Sequence, residues 1–289
     1  MTGALDWQAL LKHKSALIGM AILGGMVALA LLGAVLYSRA DYSKYINAAE
    51  KLNHPSAIHW LGTDQVGRDV LQGIALGGMV SLGIAVKVLL VSLLIGVPLG
   101  AWSAFRGGWF DTLLMRGVDI LLAFPPILLA ITIMAVWGRD LSAQGSERLV
   151  FAIAIPLIPA FIRQVRAAVL VLKQLDYITA ARALGASGGR TLFRHIIPNT
   201  VGPVTVIATL SVGTAILDSA GLSFLGLGVA PGQPEWGIML NDARLAVGIS
   251  YDHWWVILFP GLAIALTVLG SNLLGDGLRD TLDPRLRQR

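Results

Sequence analysis

The chain has 289 residues, of which 55% are hydrophobic and only 13% are charged. In soluble domains about a quarter of the residues are charged, so this composition excludes a soluble domain and predicts a multi-pass helical membrane protein. The formal net charge of +5 does not indicate nucleic-acid binding, because the basic residues lie between the apolar runs rather than in one patch.

The first predicted membrane span covers residues 16–37 and follows a short N-terminal segment, residues 1–15. Lys12 and Lys14 stand directly before the apolar run. A secretory signal has the same order of charges, but its apolar core has only ~7–15 residues. The longer run therefore predicts an uncleaved first span.

A polar connection, residues 38–79, joins the first and second predicted spans. Its second half is patterned, because the turn-forming residues Gly62 and Thr63 are followed by an apolar stripe through Val70, Leu71 and Ile74. This pattern predicts a surface helix within residues 54–79 that lies at the membrane, rather than a passive loop.

Five further spans are predicted within residues 80–275. They cover residues 80–104, 113–137, 149–172, 201 into 221–229, and 254–274. Phe124-Pro125-Pro126 interrupts the third span. Because neighbouring helices can satisfy the carbonyls that a proline leaves unbonded, these prolines predict a kink rather than a break. A polar tail, residues 276–289, follows the last span.

The distribution of Lys and Arg predicts which side of the membrane each segment occupies. Six spans place both termini on one side, and the segments on that side hold roughly twice as many Lys and Arg as the segments on the other side. Cytoplasmic loops are enriched in these residues. The bias therefore predicts cytoplasmic N- and C-termini and a cytoplasmic location for residues 176–199.

Residues 176–199 form the most polar extended stretch in the second half of the chain. Gly185 is placed to end a short helix in a left-handed cap, and Ser187 is placed to cap a second helix that Pro198 ends. The stretch thus predicts two short helices joined at a glycine, which is typical of a docking element. The face of the first helix expected to dock carries Tyr177, Ile178, Ala181 and Leu184.

No motif for catalysis or cofactor binding occurs in the sequence. The phosphate loop G-x-x-x-x-G-K-[ST], the zinc motif HExxH and the nucleophile elbow G-x-S-x-G are all absent. The chain also contains no cysteine, which excludes thiolate nucleophiles and thiolate metal sites. We therefore expect no enzyme, no cofactor and no metal site. A docking element in a chain without its own ATP site suggests that a partner supplies the energy.

Two sets of motifs carry a resemblance to a known family. Ala180-Ala181, then Gly185 and Ile197-Pro198, resemble the EAA loop of ABC importer permeases, although Thr179 stands where that loop has Glu. Six ordered blocks resemble the second permease subunit of dipeptide, oligopeptide and nickel importers. They are LGTDQVGRD (61–69), FPP (124–126), GLSFLGLGV (221–229), PEWGIML (234–240), FPGLAIALTVL (259–269) and GDGLRDTLDPRL (275–286).

The resemblance implies a permease subunit with the all-α, six-helix fold of type I ABC importers, in a bacterial inner membrane. It implies a heterodimer with a homologous permease, two ATPase subunits that bind ATP and Mg, and an extracytoplasmic binding protein that delivers dipeptides or short oligopeptides. Residues 176–199 are then the coupling-helix loop. Its expected ATPase-coupling residues are Tyr177, Ile178, Ala180, Ala181, Arg182, Leu184, Gly185, Ile197 and Pro198.

Several ionisable residues in or beside apolar runs need a partner, because a charge in the bilayer is costly unless it faces protein or water. Asp218, with Phe224 and Leu225, is expected to line or gate the pathway and to meet a peptide amino terminus. Alternatively, Asp218 bonds the glycine-rich bend that follows it. Arg116 and Asp119 are expected to pair with each other.

The 54–79 segment is expected to contact either the binding protein or the partner permease, through Trp60, Asp64 and Arg68. Alternatively, it is a lid packed on its own bundle.

Other functions stay open from the sequence. A nickel or glutathione importer of the same family differs only in substrate. A proton- or ion-coupled transporter or channel that uses Asp218 and Asp119 predicts activity that responds to a pH gradient and no bound ATPase. A membrane scaffold without transport activity leaves the polar face of residues 176–199 without an assigned partner.

Overall fold

The structure, a computed structural model, describes residues 10–137, 145–247 and 251–282. Within these ranges the chain is a helical bundle without strands, and its one β-bridge joins Thr63 and Asp69. The α-helices are α1 (Lys14–Leu36), α2 (Arg39–Lys44), α3 (Val70–Arg106), α4 (Gly108–Leu122), α5 (Pro126–Trp137), α6 (Gly145–Leu172), α7 (Asp176–Ala183), α8 (Gly188–Phe224), α9 (Trp236–Val247) and α10 (Trp255–Leu282).

Five helices, α1, α3, α6, α8 and α10, are long and apolar enough to cross a membrane, and α4 with α5 makes a sixth span if the pair is counted as one. The predicted kink at the prolines is wrong, because α4 ends at Leu122, α5 begins at Pro126, and the two helices meet at 90°. A proline disfavours the helical conformation of the residue before it. Two consecutive prolines therefore disfavour helix at both Phe124 and Pro125, which breaks the helix.

Helix α3 begins at Val70, ten residues before the predicted second span, and continues to Arg106. The surface helix predicted within residues 54–79 is therefore wrong. Its apolar stripe is the first part of α3, where Val70 and Ile74 are buried in the bundle. Asp69 caps α3, since its side chain accepts a hydrogen bond from the backbone N–H of Gln72 at 3.0 Å.

Residues 37–69 fold into a compact cap over one end of the bundle, which we call the 37–69 end. Asp64 Oδ1 accepts hydrogen bonds from the backbone N–H groups of Val66 and Arg68, at 2.9 and 2.8 Å. The cap is attached to the bundle where Trp255 Nε1, at the start of α10, donates to Thr63 O at 3.0 Å. The opposite end of the bundle carries α7, and we call it the α7 end.

Helix α8 passes through Pro198 without ending, so the prediction that Pro198 stops the second short helix is wrong. Residues Thr191–Ile196 form a π-helical turn directly before the proline, and the backbone N–H of Ile197 bonds to Leu192 O. Proline has no N–H and its ring crowds the preceding turn. The wider π turn accommodates this, and the second short helix becomes the first part of a span.

The end of α10 and the presence of α9 also differ from the prediction. Helix α10 continues to Leu282 rather than ending at 274, and the rest of the predicted polar tail, residues 283–289, lies outside the described residues. Helix α9 was not predicted, because its twelve residues are too few to register as a span.

Candidate coupling and pathway sites

Helix α7 ends in the predicted left-handed cap. Gly185 has φ +84°, and the backbone N–H of Ala186 bonds back to Ala181 O at 3.0 Å. The side chain of Ser187 then accepts a hydrogen bond from the backbone N–H of Arg190 at 3.4 Å, which caps the start of α8. The predicted turn at Gly185 and cap at Ser187 are confirmed.

The apolar residues of α7 lie on two different faces rather than on the predicted single docking face. Ile178 is fully buried and packs in a cluster with Ala104, Val169 and Ile196. Tyr177 is 42% exposed and Leu184 is 89% exposed. Placing Ile178 on the outward face was therefore wrong. A helical period places apolar side chains but does not say whether each packs on its own bundle or on a partner.

The remaining coupling residues predicted from the sequence are accessible to different degrees. Ala180 and Pro198 are exposed, while Ala181 and Ile197 are half-buried. Tyr177 Oη donates to His195 O at 3.4 Å, which holds the ring against the first turns of α8. Of the predicted coupling residues, Tyr177, Ala180, Arg182, Leu184, Gly185 and Pro198 are therefore exposed.

Phe105, at the end of α3, lies where three elements meet. The Lys173 ammonium and the Arg182 guanidinium lie 5.8 and 5.6 Å from the centre of its ring, within the range of cation–π contacts. Gly188 packs against the ring, since a Cβ there would lie 3.4 Å from it. Arg182, predicted at the rim of the docking surface, is thus tied to the bundle.

Lys173 also caps the end of α3. Its ammonium donates to Ala104 O at 2.8 Å and to Phe105 O at 3.1 Å. These are carbonyls of the last helical turn, where a cation is favourable. Partial burial and then the nearby Arg182 charge lower the pKa of Lys173. The end of α3, the residue after α6 and the end of α7 therefore meet through Phe105.

A second polar joint lies beside the first. The Arg166 guanidinium makes a bidentate contact with the Asp111 carboxylate, with both N···O distances 2.7 Å, and Ser103 Oγ also donates to Asp111. This joint connects α3, α4 and α6.

The predicted Arg116–Asp119 pair is wrong. Asp119 of α4 pairs instead with Arg163 of α6 at 2.8 Å, and the two residues are 44 positions apart in the sequence.

Asp218, Phe224 and Leu225, predicted as pathway residues, share one face of α8. The face also carries Thr214, Leu217 and Gly221, at the three- and four-residue spacing of a helix stripe. Thr214, Leu217, Phe224 and Leu225 are exposed in this single chain, and Asp218 is half-buried.

The glycine-rich bend after α8 is bonded without Asp218. The backbone N–H groups of Gly226 and Leu227 donate to Ser223 O and Leu222 O, at 2.9 and 2.8 Å. The Asn241 side chain donates to Phe224 O at 2.5 Å. Among the residues that the structure describes, Asp218 forms no hydrogen bond or ion pair. The alternative in which Asp218 bonds the bend has no support.

Trp60, Asp64 and Arg68 do not form one outward surface. Trp60 is 71% exposed, but Arg68 is only 9% exposed and donates to Tyr45 O and Ser43 O, each at 3.3 Å. Asp64 is half-buried and holds the turn of the cap. Two of the three predicted contact residues thus stabilise the cap itself.

A small cavity lies under the cap, lined by Tyr42, Asp64, Arg68 and Asp242 among others. Burial raises the pKa of Asp64, and it raises the pKa of Asp242 to about 6, against the opposing effect of Arg68. Asp242 was missed by sequence reasoning, because α9 was not predicted and nothing linked it to residue 64.

Glu235 is a buried carboxylate that sequence reasoning also missed. Its Oε1 accepts from Ser81 Oγ at 3.2 Å and from Gly237 N at 3.0 Å, and its Oε2 accepts from Ile238 N at 2.9 Å. Burial raises the pKa of Glu235. The neighbouring Trp236 Nε1 donates to Ile74 O at 3.0 Å. These contacts fix the start of α9 against α3, and the PEWGIML block was the only signal of them.

No group of three or more His, Cys, Asp or Glu side chains that could hold a metal ion occurs among the described residues. The polar clusters pair acids with bases or with backbone groups instead.

Comparison with known proteins gives consistent family matches. Residues 96–288 match the model of the binding-protein-dependent transport system inner membrane component family, and residues 4–55 match the N-terminal TM domain of oligopeptide transport permease C.

Similar proteins align over nearly the whole chain. A dipeptide transport system permease protein DppC of Alkalihalophilus pseudofirmus is 42% identical, covering 97% of this chain and 89% of that protein. A glutathione transport system permease protein GsiD of Pectobacterium atrosepticum is 45% identical, covering 97% and 90%. A GsiD of Escherichia coli is 44% identical, covering 93% and 87%.

Proposed function

The chain belongs to the family of binding-protein-dependent transport system inner membrane components, and from this premise we propose that it imports dipeptides or short oligopeptides as half of an ATP-driven transporter. Its family and its apolar helices make it a multi-pass inner membrane protein. It is a permease subunit of an ABC importer of the dipeptide and glutathione type, and a transport subunit rather than an enzyme.

The partners that we propose are those of the family in general, namely a homologous permease, two ATPases that bind ATP and Mg, and an extracytoplasmic binding protein. We place the α7 end in the cytoplasm and the 37–69 end outside. The excess of Lys and Arg on the side of the N-terminus and residues 176–199 supports this orientation.

The coupling surface carries the proposal. Leu184 and Tyr177 extend outward from a helix that Ile178 anchors in the bundle. A large apolar side chain that is 89% exposed at the tip of a polar loop fits a groove on a partner protein. We therefore assign Tyr177, Ala180, Leu184 and Pro198 to direct ATPase contact. Ile178, Ala181, Arg182, Gly185 and Ile197 hold this surface in place.

The mechanism that we propose is alternating access. ATP binding draws the two ATPases together, and α7 moves with them because its exposed side chains lie in their grooves. Since Ile178 and Arg182 tie α7 to α6 and to Phe105 of α3, this movement reaches the membrane helices. The α8 face with Asp218, Phe224 and Leu225 then alternates between the two sides of the membrane as the pathway lining.

Glutathione is the second candidate substrate. The relatives named for glutathione transport are 44–45% identical to this chain, close to the 42% of the relative named for dipeptide transport. Glutathione is itself a small peptide with a free amino group, so both candidates present similar chemistry to the pathway.

Import by the reconstituted complex tests the proposal. Proteoliposomes with this chain, its permease partner, the ATPases and the binding protein are supplied with labelled dialanine or glutathione. We expect uptake of dialanine that needs both ATP and the binding protein and is unchanged by a proton gradient. Preferential uptake of glutathione would replace the dipeptide assignment, and uptake driven by a proton gradient without ATP would refute the function.

A further inference from the structure

Asp218 is an unpaired carboxylate inside a membrane-spanning helix. Helix α8 crosses the bundle from Gly188 to Phe224, and Asp218 has no ion pair or hydrogen bond with any residue in the described ranges. A charged side chain at this depth is costly in lipid and is found facing water, a ligand or another protein. By contrast, Asp111 and Asp119 of α4 each have an arginine partner.

Thr214 lies one helical turn before Asp218 on the same face. Threonine hydroxyls in helices commonly donate to the carbonyl four residues earlier. Three others in α8 do so, since Thr191, Thr205 and Thr209 donate to Ser187 O, Val201 O and Thr205 O at 3.1, 2.8 and 2.9 Å. Thr214 forms no such bond within the part of the chain that the structure describes. A hydroxyl and a carboxylate are thus both left free on one stripe.

The stripe leaves space beside these two polar groups. Gly221 follows Asp218 by three residues, and a Cβ placed on it would meet only Ile127 of α5, at 3.7 Å. The rest of the face is apolar, with Leu217, Phe224 and Leu225. A polar spot of one acid and one hydroxyl, with no basic side chain of the described ranges in contact, selects a compact cation with several N–H donors.

We propose that Asp218 and Thr214 bind the protonated amino group of the peptide as it passes through the pathway. This proposal rests on the proposed function and names the part of the substrate that the pathway reads. The ammonium donates to the Asp218 carboxylate and to the Thr214 hydroxyl, while the substrate side chains lie along the apolar remainder of the stripe. Dipeptides and glutathione share this amino group, so one site serves both classes.

The test compares variants of the complete transporter in proteoliposomes, with dialanine and glutathione as probes. The import rate at a saturating concentration of loaded binding protein is measured together with ATP hydrolysis and subunit assembly. The variants are Asp218→Asn, Asp218→Glu and Thr214→Val. Thr209→Val is the matched control, because the Thr209 hydroxyl is bonded within its own helix.

We expect Asp218→Asn to lower import of the probe that the wild type carries by at least about tenfold, the effect of losing a charge-assisted hydrogen bond. Assembly and ATP hydrolysis should stay at the wild-type level. Asp218→Glu should keep most of the import, Thr214→Val should lower it by roughly threefold, the smaller loss of a neutral hydrogen bond, and Thr209→Val should leave it unchanged.

Two results would overturn the assignment while leaving the proposed function intact. Wild-type import by Asp218→Asn would mean that the carboxylate does not contact the substrate. Loss of assembly with the partner permease, in place of lost import by an assembled complex, would assign Asp218 to a contact between subunits. If the assembled wild type imports neither probe, the proposed function fails and this inference fails with it.

Discussion

At the scale of single residues, Gly185 shows how a backbone requirement differs from a packing requirement. It has φ +84°, and no atom lies within 4 Å of the position that a Cβ would take. A substitution there is therefore limited by backbone strain alone. In the left-handed region that strain is roughly 1–2 kcal/mol for ordinary residues, and asparagine tolerates the region better.

Gly185→Val should therefore displace α7 from the start of α8 and uncouple ATP hydrolysis from import, because a β-branched residue does not fit the left-handed cap. Gly185→Asn should keep import near the wild-type rate. The ratio of ATP hydrolysed to substrate imported is the readout. An equal effect of both substitutions would show that the positive φ is not what matters.

The pKa of Asp242, raised to about 6 by burial, predicts how stability depends on pH. Because the folded chain holds this proton between about pH 4 and 6 and the unfolded chain does not, folding stability falls as pH rises through that window. Asp64 and Glu235 shift in the same direction. We expect a higher thermal unfolding temperature at pH 5 than at pH 7.

Asp242→Asn should reduce this difference, since it removes one of the buried titrating groups. Asp41→Asn, at an exposed site of the same cap, is the control and should leave the difference as in the wild type. A pH dependence that is equal in wild type and in Asp242→Asn would contradict the role assigned to burial of this carboxylate.

At the scale of helices, the end of α3 connects residues 176–199 to the bundle. Lys173, Arg182 and Gly188 all meet Phe105, so three segments are positioned by one ring. At the 37–69 end the same helix is bonded to Glu235 and Trp236 through Ser81 and Ile74. Helix α3 thus has fixed contacts at both ends.

Phe105→Ala should remove the ring that α7 rests on. We expect the ATPases to bind and hydrolyse ATP, while import per ATP falls at least about tenfold. Phe105→Tyr, which keeps the aromatic face for both cations, should restore the ratio. Trp109→Ala, an exposed aromatic four residues on, is the matched control. If Phe105→Ala imports normally per ATP, α7 acts on the bundle by another route.

At the scale of the whole molecule, the sequence predicts what depends on composition and local chemistry. The six apolar runs, the left-handed turn at Gly185 and the cap at Ser187 follow from residue type within a few positions. The family resemblance is confirmed by matches that cover nearly the whole chain.

The failures have two causes, namely contacts between segments distant in sequence and the local backbone around prolines. Ile178 is inward because α3, α6 and α8 surround it. Asp119 pairs with Arg163 rather than with Arg116 because α6 packs beside α4. Pro198 continues a helix because the π turn before it removes the clash. Periodicity along one segment carries no information about its neighbours.

The central claim is that α7 docks partner ATPases through Leu184 and Tyr177 and that this contact drives import. The most direct measurement compares ATPase co-purification and ATP-dependent import of dialanine among wild type, Leu184→Asp and Leu11→Asp. Leu11 is the control, because it is exposed and lies near the N-terminus, far in sequence from α7. The account predicts that Leu184→Asp loses both while the chain still inserts and pairs with its permease partner, and that Leu11→Asp keeps both. Wild-type import by a Leu184→Asp complex, or import by any complex that lacks the ATPases, would contradict it.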